Sequence, residues 1–95
     1  MRAAHTSDGA VRQRLRELLA NGRLPAMAPM EIAAGYGHGR VCIACDQPVT
    51  QHEMEYEFND PREDRQLSFH SACFLLFQSE CVERASAAPG QRVDR

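Results

Sequence analysis

A chain of 95 residues with a formal net charge of -2 amounts to one domain at most. Its residues are 43% hydrophobic and 6% aromatic with no tryptophan, which permits only a small core; domains of this size often need a disulfide or metal staple. The near-neutral balance gives no sign of a dedicated nucleic-acid binder, and no apolar run approaches the roughly 18–20 residues of a membrane span.

The opening "MRAAHTSDGA" lacks the apolar stretch of a signal peptide. The expected location is therefore the cytoplasm, where close cysteine pairs bind metal or do redox chemistry more often than they form structural disulfides. Charge is uneven along the chain. Residues 1–40 hold six arginines against three acids, and residues 41–95 hold five against ten. All the basic residues are arginine, which reflects codon usage first and a preference for bidentate contacts second.

In chain order, residues 1–6 read as disordered. Ser7 or Asp8 can cap a helix over about 9–21, with Val11, Leu15, Leu18 and Leu19 forming one apolar stripe. Arg12, Arg14 and Arg16 fall mostly off that stripe. Asn21-Gly22 is a stop signal, because glycine can adopt the left-handed cap conformation. Residues 1–23 thus form an Arg-rich helical segment. Residues 24–40 follow as an irregular, extended connector, whose prolines and glycines argue against regular structure. Leu24, Met27, Met30, Ile32 and Tyr36 are available there for burial.

Beyond "CIAC" and the turn "DQPV", the run "EMEYEF" alternates, with Met54, Tyr56 and Phe58 expected inward and Glu53, Glu55 and Glu57 outward. "NDPRED" reads as a loop and "QLSFH" as a second strand with Leu67 and Phe69 inward, so the two runs predict a β-hairpin. A second helix is expected over about 71–87, and residues 88–95 as a disordered tail. The expected fold is a small α+β unit over 41–87 with an additional N-terminal helix.

The chemistry sits in two pairs. Cys42 and Cys45 are separated by two residues on a tight turn, and after a further 24 residues His70 and Cys73 are spaced to share one face at a helix start. The residue after the second cysteine of such a turn needs a left-handed backbone, and Asp46 is one of the few non-glycine types that tolerates it. A helix N-terminus favours a thiolate through its free N–H groups. With a hairpin folding the chain between the pairs, Cys42, Cys45, His70 and Cys73 can converge on one tetrahedral site. Three cysteines and one histidine make a closed zinc shell, and thiolate-rich ligands disfavour magnesium, calcium and manganese. The competing readings are a chance pairing of motifs, or a dithiol redox pair at Cys42 and Cys45, which lacks the βαβ context of thioredoxin-like proteins.

The Cys-x2-Cys…His-x2-Cys order resembles a treble-clef zinc finger, and more narrowly the first zinc module of a LIM domain. The phrase "GYGHGRVCIACDQPVTQHEMEYEF…LSFHSACFLLF" is similar to small bacterial proteins of unassigned function. The resemblance spans about residues 35–85 and implies a zinc knuckle, a β-hairpin and a C-terminal helix giving the last two ligands. It implies one structural zinc ion rather than a catalytic one.

Other residues carry weaker signals. Cys81 reads as a buried structural cysteine, with a redox-reactive thiol as the alternative. His52 is an alternative ligand to His70 but has no partner at ligand spacing. His5 falls in the N-terminal tail, and His38 within "GYGHG" reads as a surface residue. Arg12, Arg14 and Arg16 are a candidate interaction surface for nucleic acid or an acidic partner, or dock on the acids of their own hairpin. Phe74, Leu75, Leu76 and Phe77 span more than half of a helix circumference. Leu76 and Phe77 are candidate contact residues, to be covered by the N-terminal segment or by a second subunit.

The composite expectation is a small regulatory or adaptor module that binds another protein or itself. The alternative is a nucleic-acid-binding transcriptional regulator using the first helix. No catalytic constellation is present, so neither an enzyme nor a small-molecule substrate is expected.

Overall fold

The computed structural model describes residues 7–29 and 31–87. The expected disorder of residues 1–6 and 88–95, and the expected burial of Met30, lie outside those residues. Five elements run in the order α1 (Asp8–Ala20), β1 (Ala33–Tyr36), β2 (Met54–Asp60), β3 (Arg65–His70) and α2 (Ser71–Ala87). The three strands form one antiparallel sheet ordered β1-β2-β3. None of the described helices is long and apolar enough to cross a membrane.

Helix α1 begins where its sequence provides a cap. The Ser7 hydroxyl accepts from the Ala10 N–H at 3.1 Å, satisfying one of the donors a helix start leaves free. It ends at Asn21, and Gly22 takes φ +79°. The N–H of Arg23 then reaches back to the Leu18 carbonyl, and that of Gly22 to Leu19. This paired return satisfies the last carbonyls and requires the left-handed residue. Val11, Leu15, Leu18 and Leu19 are buried, as their spacing predicts.

The hairpin β2–β3 pairs Glu55 with His70 through Asp60 with Arg65. Asp60 closes its loop. Its carbonyl accepts from the N–H of Asp64, its carboxylate accepts from the backbone and guanidinium of Arg62, and Asp64 sits at φ 51°. Helix α2 starts directly after β3 and packs on the sheet face carrying Tyr56, Phe58 and Phe69. All four phenylalanines meet in this core, with ring centroids 5.2 to 6.2 Å apart. Helix α1 lies along α2, adding its leucines to the same core.

Two features depart from the sequence expectation. Within the connector 24–40, Ala33–Tyr36 forms strand β1, paired with β2 from Ala33↔Glu57 to Tyr36↔Met54. Leu24 is buried there, but Met27 and Tyr36 are exposed. The alternation of β2 is also not a clean inside–outside division. Glu55 is only 2% exposed, whereas Met54 is 40% exposed. The reason is that residues 37–50 fold over the glutamate face of the sheet. His38 lies 3.7 Å from the Glu55 carboxylate, and Arg40 lies 3.0 Å from that of Glu57. Gly37 permits this close return, since a Cβ there would lie 2.3 Å from the Val49 carbonyl oxygen. Glu55 Oε2 is left buried without a hydrogen-bond partner among the described residues.

Candidate metal centre

The returning segment 37–50 is itself a narrow hairpin. Gly39 donates to the Val49 carbonyl, Val49 to the Arg40 carbonyl, and Val41 bridges Pro48. At its tip, Cys42 donates to the Gln47 carbonyl and Asp46 to the Cys42 carbonyl, each at 2.8 Å. Asp46 takes φ 66°, the left-handed state expected of it, and the turn places both cysteine sulfurs on one side. Ile43 donates to the Ser68 carbonyl at 3.0 Å, which docks the tip against β3.

His70 ends β3, and Cys73 lies in the first turn of α2. The four ligand atoms of Cys42, Cys45, His70 and Cys73 lie within 4.8 Å of one another. His70 Nδ1 is 3.3 Å from Cys45 Sγ. A metal about 2.3 Å from sulfur and about 2.0–2.1 Å from nitrogen would hold tetrahedral neighbours at roughly this separation. The cluster can therefore hold one metal ion. It joins the tip of one hairpin to the junction of another hairpin with a helix, two parts that are far apart in the sequence.

The electrostatics of the cluster favour a cation. A hydrogen bond from the Cys73 thiol, aided by the backbone N–H groups of His70 and Cys45, holds the Cys42 thiol down to about 5 against the opposing effect of burial. That thiolate makes ionisation of its neighbours harder. Cys73 is pushed far up by its hydrogen bond to Cys42, by burial and by the nearby charge. Cys45 is pushed up by burial and by the Cys42 charge. Burial lowers His70, but the Cys42 thiolate and the Glu53 carboxylate outweigh it and leave the imidazole raised. Three thiolates can coexist at this spacing only around a positive ion.

A residue that the sequence reading placed only on the outer face of a strand completes the site. Glu53 Oε1 lies 3.3 Å from His70 Nε2, which is also 3.2 Å from the Pro48 carbonyl oxygen. A partner on Nε2 fixes the tautomer that leaves Nδ1 free to ligate and orients the ring. Glu53 is held by a local turn. Its N–H donates to the Thr50 carbonyl, and its carboxylate accepts from the Thr50 N–H at 2.9 Å. The Thr50-x-x-Glu53 spacing, that of a capping box, was the available signal.

The remaining sequence candidates fall elsewhere. His52 is exposed in the loop before β2 and takes no part in the cluster. His38 is exposed beside Glu55. Cys81 is buried on α2 with its thiol raised by burial, and it too lies outside the cluster. Arg12 and Arg16 converge on Glu80 of α2, at 2.7 and 3.0 Å. The Arg14 guanidinium donates to the Ile43 carbonyl at 3.0 Å, tying α1 to the cysteine turn. The arginines thus dock internally, on Glu80 and the turn rather than on the glutamates of the hairpin. Phe77 requires a correction as a surface residue. It is 0% exposed, stacked on Phe58 and Phe69, because the sheet claims that face of α2. Leu76 is half-buried, and the exposed apolar side chains of α2 are Leu75 and Val82.

No family model, curated protein or solved structure matches the chain.

Proposed function

We propose that the cluster holds one zinc ion with a structural role, in a treble-clef arrangement of knuckle, hairpin and helix, and that the protein is a small zinc-stapled module for binding another protein. The observation that carries this reading is the convergence of four protein ligands from two chain segments, 42–45 and 70–73. Three thiolates and an imidazole suit zinc, and a full tetrahedral shell leaves no position for a reactive water. The metal would then serve folding, which a 95-residue chain with a small core needs.

Support for a binding role comes from what the staple leaves outside. Leu75 is 60% and Val82 65% exposed on α2, with no cover among the described residues. The nucleic-acid alternative rested on Arg12, Arg14 and Arg16, whose internal contacts reduce what they offer to phosphates. The protein-binding reading is tested by photo-crosslinking from position 75 in cells, with exposed Gln13 of α1 as the control position. A discrete adduct at 75, absent from 13 and lost in Val82→Glu, supports it. Equal labelling at both positions, or none, refutes it.

A further inference from the structure

Strand β1 is an edge that no described residue covers. It is the outer strand of the sheet, and all four of its residues are exposed. The N–H of Gly37 bonds to the Glu53 carbonyl in continuation of the β1–β2 register. Antiparallel geometry then turns the main-chain groups of Ala33, Gly35 and Gly37 toward β2, and those of Ala34 and Tyr36 outward. Natural edges are blunted with lysine, proline, bulges or inward charges. The sequence "AAGY" has none of these, and no residue from 31 to 36 has a positive φ. The edge is apolar as well. Ile32 and Tyr36 precede and end the strand on one face, at 37% and 66% exposure, and Tyr36 sits opposite the exposed Met54.

We infer that β1 is a homodimerisation strand, pairing antiparallel with β1 of a second copy about a twofold axis at Ala34 and joining two three-stranded sheets into one of six strands.

Charge and side-chain fit select the second copy over an unrelated extended peptide. The strand has an acidic end, Glu31, and leads at its other end to Arg40, whose guanidinium also pairs with Glu57 of its own chain at 3.0 Å; both Glu31 and Arg40 are exposed. Antiparallel self-pairing sets each acidic end beside the basic end of the other copy. In the twofold register Ile32 faces Tyr36 of the second copy twice over, a β-branched–aromatic pair of the kind that stabilises sheets. Ala33 faces Gly35 on the other side, so no bulky side chain of the strand itself stands in the way. A foreign peptide would find small residues and no pocket for its alternate side chains, which is where specificity in strand addition comes from. The inference depends neither on the identity of the metal nor on a partner at Leu75 and Val82. The ladder is short, so the interface falls at the small end of specific contacts and its dissociation constant is expected on the order of 10 μM.

Sedimentation velocity of the metal-loaded chain from 1 to 500 μM tests this. The expected result is a reversible monomer–dimer equilibrium. Ala34→Pro removes an N–H that points away from β2, so it should weaken the dimer at least tenfold while keeping metal content and circular dichroism unchanged. A charge pair fixes the register without relying on that proline. Ile32→Lys with Tyr36→Lys should abolish the dimer, and Ile32→Lys with Tyr36→Glu should retain it. A monomer throughout the range overturns the inference, as does a dimer indifferent to Ala34→Pro and to the double-lysine variant. A dimer lost equally in both charge variants overturns the register.

Discussion

Replacing Glu80 with glutamine tests how α1 is fastened to the rest of the fold. The carboxylate is 4% exposed and receives Arg12 at 2.7 Å on Oε2 and Arg16 at 3.0 Å on Oε1 and 3.3 Å on Oε2. Glutamine keeps the volume and removes the charge. A hydrogen bond to a charged group contributes about 1.5–3 kcal/mol when shielded. Arg12 is 31% exposed, so the lower end of that range applies to it, about 1.5 kcal/mol. Arg16 is 55% exposed and falls in the solvent-screened class, about 0.5 kcal/mol. Glu80→Gln should therefore destabilise the metal-loaded protein by about 2 kcal/mol at pH 7. For a domain of this size that is a fall in Tm of roughly 8–16 °C.

The pH dependence has a definite sign. Burial raises the Glu80 carboxyl, but the two guanidiniums outweigh it and hold the group below its ordinary value. Its contribution is then full above the unfolded pKa of about 4.3 and is lost as pH falls through the lower folded value. Urea unfolding of wild type and Glu80→Gln should differ by a constant amount from pH 8 to 5 and converge toward pH 3. The difference isolates Glu80 from any loss of metal in acid, because Glu80 shares no partner with the cluster. A difference below about 0.5 kcal/mol at pH 7 would refute the reasoning, since that is the level of an ordinary surface pair.

Three further outcomes are expected. Glu53→Gln should weaken metal binding about 10–100-fold without abolishing it, measured by competition with a chromophoric chelator. Gly37→Ala should cost about 1–3 kcal/mol in urea unfolding, because the added methyl meets the Val49 carbonyl. Chelating the metal should collapse amide-exchange protection in 41–50 and in the first turn of α2 together, since one ion held by the cluster would fasten both.

Much of the architecture was legible from local pattern alone. The stripe of α1, the Asn21-Gly22 stop and the Asp46 turn each follow from one physical rule, and each sits where the rule puts it. The ligand spacing identified the four residues that converge. What escaped was set by distant parts of the chain. "AAGY" has little intrinsic preference for a strand and becomes one because β2 offers it a free edge. Glu55 reads as a solvent-facing residue until the 37–50 return covers it. Phe77 shares a broad apolar helix face with Phe74, Cys81, Leu75 and Val82, and a run of four apolar residues does not say which part of that face the sheet covers. The arginine–Glu80 contacts join residues 64 and 68 apart, beyond any local signal.

The central claim is that one ion, held by Cys42, Cys45, His70 and Cys73, fastens the fold. Native mass spectrometry of the purified wild type, Cys42→Ser and Cys81→Ser tests it most directly. The account predicts one zinc in the wild type and in Cys81→Ser, and none in Cys42→Ser. A wild type without metal and carrying a Cys42–Cys45 disulfide would contradict it, as would zinc that survives Cys42→Ser or departs with Cys81→Ser.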